Sequence, residues 1–209
     1  MIRIDYERNW KAKRMKFRDE IRCMADLYLQ QIGKFQTQET KKIIVNCVES
    51  DNDEVGNLDG FTEVEAEFDY EHYAACCKDE KKKIIVETLH NGLLKAGKFY
   101  KWDLTILMQA YRSVVEKKHK NEYVWKQKSS PSRAYRAEVF CRHDLDTYTI
   151  TINVLDRKTE EWVKSEKLIS EIPNEFAFAQ HLGSLKWLSN TEVCLVNQNK
   201  TKQWIVSVR

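Results

Sequence analysis

The stretch Thr62-Glu-Val-Glu-Ala-Glu-Phe-Asp-Tyr70 gives the clearest indication of the fold. Apolar and acidic residues alternate along it, and a period of two residues is typical of a β-strand that buries one face. Neighbouring carboxylates on the other face would stand about 6.5–7 Å apart, because a strand rises about 3.3 Å per residue. The acidic positions of this predicted strand are Glu63, Glu65, Glu67 and Asp69.

The residues before this strand predict a short strand, a long helix and a second strand. Alternation favours a strand over 2–6, and apolar residues three and four positions apart predict an amphipathic helix from near Trp10 to near Gly33. The β-branched stretch 42–48 predicts the next strand, and the turn-forming residues of 51–60 predict a loop.

The residues after the strand are helical in pattern. Apolar spacing predicts helix over 71–96, with an interruption at Asp79–Lys83 where Asp79 would cap a second helix. Asp103 would cap a further helix, whose apolar stripe runs from Leu104 to Val115.

Beyond a break at Ser129–Arg133 the pattern favours strands, with one short helix between Pro173 and Gly183. The expected fold class is therefore α+β, with helices mainly in the N-terminal half and an antiparallel β-sheet or meander in the C-terminal half. We expect a single domain over residues 1–209, with an alternative subdomain break near 129–133. The predicted C-terminal strands cover 135–141, 148–154, 162–169, 185–189, 193–196 and 203–208.

Composition excludes several classes of protein. Hydrophobic residues make up 42% of the 209 residues, which is too large a share for an intrinsically disordered chain. No apolar run reaches the ~20 residues of a membrane helix, and the N-terminus has no signal-peptide core. The six cysteines form no C-x-x-C pair, so we expect reduced thiols, a cytoplasmic location and no membrane association.

Charge is distributed very unevenly along the chain. The segment Glu49–Glu71 has ten acidic residues and no lysine or arginine, so it carries −10; since the total is +3, the rest carries +13. A row of like charges projects a field that speeds encounter with an oppositely charged protein. The sequence thus predicts a binding face for a basic protein partner, formed by the strand carboxylates with Asp51 and Asp53. The alternative is an edge strand whose charges discourage aggregation.

A divalent-metal site is a further alternative for the same segment. Asp51-x-Asp53 begins like a calcium loop, but the pattern fails at Val55 and places Thr62 where the loop needs glutamate. A nuclease-type magnesium site would need a catalytic lysine, and the sequence shows none near the acidic strand. We therefore predict no cofactor and no metal, and a metal-dependent hydrolase that uses 51–69 is the alternative function.

The predicted first helix is basic and carries two aromatic residues, Trp10 and Phe17. Basic residues interleaved with aromatics are typical of nucleic-acid binding, which gives a second alternative function. Asp19, Glu20 and Asp26 dilute the charge, so nucleic acid is disfavoured as a partner. The basic residues are Arg8, Lys11, Lys13, Arg14, Lys16, Arg18 and Arg22.

Common catalytic motifs are absent from the sequence. It contains no G-x-S-x-G, H-E-x-x-H, G-x-x-x-x-G-K-[ST] or G-x-G-x-x-G. His72 with Cys76, and Cys141 with His143, could each begin a zinc site, but neither has a second pair at suitable spacing. The sequence favours a protein without catalytic activity, and a cysteine–histidine pair assembled from distant residues stays open.

Three stretches resemble small bacterial proteins, some of which are similar to immunity proteins of polymorphic and contact-dependent toxin systems. The stretches are Phe68-Asp-Tyr-Glu-His-Tyr73, Asp79–Lys83 and Ile84-Ile-Val-Glu-Thr-Leu-His-Asn-Gly-Leu-Leu94, and the resemblance extends over residues 40–120. It implies a non-catalytic cytoplasmic protein that occludes a toxin domain, and it transfers no site residue because such families share no universal active site. The expected function is an immunity-type inhibitor that binds a basic toxin domain through the acidic strand.

Overall fold

The structure is a computed structural model that describes residues 2–6 and 11–208, with side chains described from residue 14 onward. The chain divides into two compact units, Met1–Asn121 and Glu122–Arg209. Helices lie mainly in the first unit and antiparallel strands in the second. The predicted α+β fold class is therefore confirmed.

The first unit contains a sheet of strands β1 (Ile2–Tyr6), β2 (Lys42–Val48), β3 (Val55–Leu58) and β4 (Phe61–Glu67). Their spatial order is β1-β2-β4-β3. β1 pairs with β2, and β2 with β4, in parallel, whereas β3 pairs antiparallel with β4. The parallel pair β1–β2 is connected by a long helix, as a parallel pair needs a crossover connection.

Strand β3 corrects the prediction of a loop over 51–60. Asp59 and Gly60 both have positive φ, 51° and 85°, which is the type I′ turn conformation that matches the twist of a hairpin. The Gly60 carbonyl accepts hydrogen bonds from the N–H groups of Lys41 and Lys42 at 2.8 and 3.1 Å, which ties the turn to the start of β2. The Asp-Gly signal thus belongs to a tight hairpin between β3 and β4.

Four helices of the first unit are α1 (Lys11–Ile32), α2 (Tyr70–Ala75), α3 (Lys78–Tyr100) and α4 (Leu104–Glu116). The predicted cap of α4 is confirmed, since Asp103 Oδ1 accepts a hydrogen bond from the Thr105 N–H at 2.9 Å. The predicted interruption at Asp79 is wrong in position. The break lies at Cys76 and Cys77, and Asp79 belongs to the first turn of α3.

Helix α3 packs closely on one face of the sheet. Its Gly92 lies against Val45 of β2, where a Cβ on Gly92 would be 2.7 Å from both Val45 Cγ atoms. Val45 and Val64 are buried on this face. Helix α1 contacts α3 and α4 and buries Phe17 against Phe68, with ring centroids 5.1 Å apart. This packing fixes which side of the sheet becomes the core.

The second unit consists mainly of antiparallel strands. One sheet has β5 (Asn121–Ser129), β6 (Tyr135–His143), β7 (Tyr148–Asp156) and β8 (Trp162–Glu171), in that order. The other has the order β11-β10-β9, with β9 (Ser184–Trp187), β10 (Glu192–Val196) and β11 (Gln203–Ser207). The predicted strands are confirmed, and β5 is a strand that the sequence pattern did not predict.

Buried residues of both sheets form one core in this unit, which includes Val139, Ile152 and Leu195. The short helix α5 (Glu175–Phe178) adds Phe178, whose ring stacks on that of Tyr148 with the centroids 3.6 Å apart. Residues 129–133, where the sequence suggested an alternative subdomain break, connect β5 to β6 inside this unit.

A helix must be both long and apolar to cross a bilayer. Among the helices in the described ranges, none combines enough length with enough apolar character to do so.

Candidate partner-binding face

The side chains of β4 lie in two environments. Val64 and Ala66 are buried, Glu63 and Glu67 are exposed, and Glu65 is partly exposed. The orientation of the three glutamates is therefore as the alternation predicts. We call this side of the sheet the glutamate face. It comprises Phe61, Glu63, Glu65 and Glu67 of β4, the paired residues Lys42, Ile44, Asn46 and Val48 of β2, and Gly56 and Leu58 of β3.

Strand β4 is an interior strand, which corrects one interpretation of its charges. It pairs with β2 along one edge and with β3 along the other. Charges on an edge strand can prevent aggregation because they keep an unpaired ladder from meeting another strand. Along Phe61–Val64, β4 has no such free ladder, so Glu63 does not protect an edge, whereas Glu65 and Glu67 lie beyond the end of β3.

Two of the three glutamates, Glu63 and Glu65, accept long hydrogen bonds. Asn46 Nδ2 donates to Glu63 Oε2 at 3.4 Å, and the Asn52 N–H donates to Glu65 Oε2 at 3.3 Å. Over the residues whose side chains are described, no lysine, arginine or histidine forms an ion pair with Glu63, Glu65 or Glu67. Among the described side chains, no cation therefore lies within ion-pair distance of these three carboxylates.

Asp69 does not belong to this row. β4 ends at Glu67, and Asp69 is the N-cap of α2, where its Oδ1 accepts a hydrogen bond from the His72 N–H at 2.9 Å. A capping carboxylate satisfies a free backbone donor and is stabilised by the helix dipole. The structure thus corrects the assignment of Asp69 to the strand face.

Asp51 and Asp53 lie in the loop between β2 and β3, where they meet a lysine of α3. Lys95 Nζ is 2.5 Å from Asp51 Oδ1 and 3.5 Å from Asp53 Oδ1, and it also donates to the Glu65 carbonyl oxygen at 3.3 Å. The Lys95 side chain is only 14% exposed. The charges of these two aspartates are therefore partly compensated, unlike those of the glutamates.

The pKa of Asp51 reflects this pairing. Partial burial opposes ionisation of its carboxyl group, but the hydrogen bond from Lys95, the hydrogen bond from the Asp53 N–H and the charge of Lys95 together hold its pKa below the usual 3.8. Asp51 is accordingly ionised in the folded protein near neutral pH.

The acidic segment does not assemble a metal site in the described part of the chain. No group of three or more histidine, cysteine, aspartate or glutamate side chains there is arranged to hold a metal ion. Asp51 Oδ1 instead accepts the Asp53 N–H at 2.8 Å and faces Lys95. The sequence pattern showed no lysine near the acidic strand, whereas in the structure Lys95 is close to Asp51 and Asp53 and pairs with both.

The basic residues of α1 do not form a continuous exposed surface over the residues with described side chains. Arg14, Arg18 and Arg22 are partly buried. Arg22 Nε lies 3.4 Å from Asp19 Oδ1, and the exposed Lys16 lies 3.7 Å from Glu20 Oε1. Arg8 and Trp10, and the side chains of Lys11 and Lys13, lie outside the described residues.

The two histidine–cysteine pairs are not arranged as activated nucleophiles. Cys76 Sγ lies 3.6 Å from His72 Nε2, but desolvation and the charge of Glu80 raise the pKa of the thiol. Cys141 is fully buried, which raises its pKa to about 11, and His143 is buried beside Tyr148. A nucleophilic cysteine needs a lowered pKa, so these thiols remain protonated.

Two exposed apolar residues of the glutamate face were missed by the sequence analysis. Leu58 is 77% exposed and Phe61 is 45% exposed, at the two ends of the β3–β4 turn. The available signal was the Asp-Gly turn, which pairs the residues on either side of it. The glutamate face therefore combines an apolar end with carboxylates that have no ion-pair partner among the described side chains.

Comparison of this chain with protein-family models, with curated proteins and with solved structures finds no match.

Proposed function

We propose that this protein is a cytoplasmic, non-catalytic binding module that inhibits a basic protein, such as a toxin domain, by covering it with the glutamate face. The observation that carries the proposal is the row Glu63, Glu65 and Glu67 on one face of β4 without ion-pair partners among the described side chains. The resemblance of residues 40–120 to small bacterial proteins, some of which are similar to immunity proteins, supports the inhibitor role.

The arrangement suits protein recognition in two ways. The three glutamates occupy alternate positions of one strand, a spacing of about 6.5–7 Å along the backbone, so their fields add and attract a basic surface before contact. Phe61 and Leu58 offer exposed apolar area beside them, and protein interfaces commonly surround an apolar centre with a polar rim. Asp51 and Asp53 contribute less, because Lys95 already compensates them.

The test compares two charge reversals of equal size. Affinity capture from the source organism identifies the partner, and stopped-flow mixing then measures its association rate with the full chain. In Glu63→Lys/Glu67→Lys, we expect the association rate at low salt to fall roughly tenfold or more, and the loss to shrink as salt screens the field. The control is Glu87→Lys/Glu116→Lys, which changes net charge equally at exposed positions of α3 and α4 that do not belong to this face.

The control variant should associate at close to the wild-type rate. Equal rates for the wild type and Glu63→Lys/Glu67→Lys at low salt would contradict the proposal, as would a captured partner with an acidic binding surface. Unfolding curves of both variants check that folding is intact, since exposed substitutions usually change stability by less than about 0.5 kcal/mol.

A further inference from the structure

Strand β3 is one of the two edge strands of the first unit's sheet, opposite β1. Leu58 and Phe61 flank the two-residue turn, so they form a hydrogen-bonded pair of the hairpin. Hydrogen-bonded and non-hydrogen-bonded pairs alternate along antiparallel strands, so Asn57 and Val55 occupy non-hydrogen-bonded positions. The backbone N–H and C=O groups of Asn57 and Val55 consequently point away from β4. In the ranges that the structure describes, no strand pairs with this edge and these groups have no hydrogen-bond partner.

A groove flanks this edge on each side of the sheet. On the glutamate face, a groove of about 510 Å³ is lined by Gly56, Asn57, Leu58, Asp59, Phe61 and Glu63. On the side of α3, a second groove of about 610 Å³ is lined by Asp53, Val55, Asn91, Leu94, Lys95, Lys98 and Phe99. Side chains of a strand alternate between the two sides of a sheet. A strand added to β3 would therefore place successive side chains in the two grooves.

The first groove has the chemistry of a site for a cationic side chain. Gly56 pairs with Glu63, and a Cβ on Gly56 would meet only the Glu63 carbonyl oxygen, at 4.0 Å, so the space above it is open. A lysine or arginine on an added strand could cross Gly56, rest its aliphatic stem on Leu58 and Phe61, and reach Glu63. The chain already places one cation against this ring, since Lys42 Nζ is 5.5 Å from the Phe61 centroid.

The charges around the edge select the occupant. Glu54 and Asp59 flank β3 and are exposed, and Asp53, which Lys95 partly compensates, lies beside them. Two copies of β3 would bring these carboxylates together, which disfavours pairing with a second copy of this chain. The same carboxylates favour a strand that carries lysine or arginine.

We propose that β3 binds an extended, basic segment of the partner protein as a fifth strand. A lysine or arginine of that segment lies over Gly56 against Glu63, and its apolar neighbour enters the groove of Val55, Leu94 and Phe99. Main-chain hydrogen bonds to Val55 and Asn57 supply affinity, and the two grooves supply specificity. This inference rests on the proposed function for the source of the segment.

The experiment uses a peptide probe and the ¹⁵N-labelled full chain. Acetyl-Lys-Val-Lys-Val-Lys-amide should shift the backbone amide signals of Val55–Leu58 in NMR spectra. Gly56→Val should raise the Kd of this peptide roughly tenfold or more, because the new side chain fills the space above residue 56. Gly56→Ala is the matched smaller substitution and should weaken binding less. The same peptide with N-methylated central amides, and acetyl-Glu-Val-Glu-Val-Glu-amide, should not shift these signals.

The outcomes separate this inference from the proposed function. Absence of shifts at Val55–Leu58, or an unchanged Kd in Gly56→Val, would overturn the edge-strand proposal. If Glu63→Lys/Glu67→Lys still slows the captured partner in that case, the proposed function stands without it. If the basic peptide binds β3 but the captured partner is not a basic protein, the proposed function fails and the peptide site stands.

Discussion

Lys95 Nζ of α3 lies 2.5 Å from Asp51 Oδ1, in the loop that follows β2. The two residues are 44 positions apart in the sequence. Lys95 also donates to the Glu65 carbonyl oxygen, so one ammonium group connects the helix, the loop and β4. The contact determines which carboxylates of the acidic segment keep their full charge for a partner.

Replacing Lys95 should therefore destabilise the first unit in a pH-dependent way. Lys95→Met keeps most of the stem and removes the cation, and we expect the free energy of unfolding near neutral pH to fall by about 1 kcal/mol. Because the pKa of Asp51 is lowered in the folded state, its contribution is complete above the ordinary value of 3.8 and is lost as pH falls through the lower folded pKa. Urea unfolding across this pH range measures the effect.

The matched control is Lys98→Met, an exposed lysine one turn further along α3. It should change stability little at any pH. The ion-pair explanation would be wrong if the difference between wild type and Lys95→Met stayed constant as pH fell below 3.8.

Local sequence patterns were sufficient for much of the fold. The alternation of 62–70 gave the strand and the orientation of its glutamates, and Asp103 gave the start of α4. Both features can be recognised from the sequence because they depend only on residues close together in the chain: alternation sets the two faces of a strand, and a capping carboxylate binds a backbone N–H two or three residues ahead. Strand β3 was not predicted from the sequence because Val-Gly-Asn-Leu is short and mostly exposed, so burial imposes no alternation on it.

The site required information that lies far apart in the chain. Whether β4 is an edge or an interior strand depends on how β2 and β3 pair with it, and a strand's own residues do not encode its neighbours. Lys95 could not be assigned to Asp51 without the packing of α3 on the sheet. Asp69 continued the alternation of the strand, yet its capping ability ended the strand and began α2.

Two histidines should make stability depend on pH near neutrality. Burial lowers the pKa of His90, and burial together with the charge of Lys83 lowers that of His119, so both favour the neutral form when folded. Below pH 6.5, the ordinary histidine pKa, these two side chains bind protons more readily in the unfolded chain than in the folded protein. We expect the free energy of unfolding to fall as pH drops below 6.5, towards the lower folded pKa values.

Measurements on three variants assign this dependence. His90→Gln and His119→Gln should each reduce the slope of unfolding free energy against pH, and the double variant should reduce it further. A slope identical to wild type in the double variant would refute the assignment. His72→Gln is a suitable control because His72 is an exposed residue of α2.

Asp69 should act on stability more than on partner association. Asp69→Ala removes the cap of α2, and loss of a capping side chain typically costs about 1 kcal/mol. Asp69→Asn keeps an oxygen acceptor and should retain most of the stability while losing the charge. Glu67→Gln makes the same change of charge on the glutamate face, and only this variant should lower the association rate clearly at low salt. A larger rate loss in Asp69→Asn would place Asp69 back in the binding face.

The contact between Gly92 and Val45 should hold α3 at its distance from the sheet. A methyl group at residue 92 would lie 2.7 Å from both Val45 Cγ atoms, so Gly92→Ala forces the helix or Val45 to move. Overpacking of this kind costs about 1–3 kcal/mol, partly offset by the better helix propensity of alanine.

In a Val45→Ala background the Cγ atoms are gone and the nearest remaining contact is 3.3 Å, to Cβ. The cost of Gly92→Ala should therefore shrink by roughly 1 kcal/mol or more in that background, which a double-mutant cycle of urea unfolding measures. Additive effects of the two substitutions would show that α3 is positioned by other contacts.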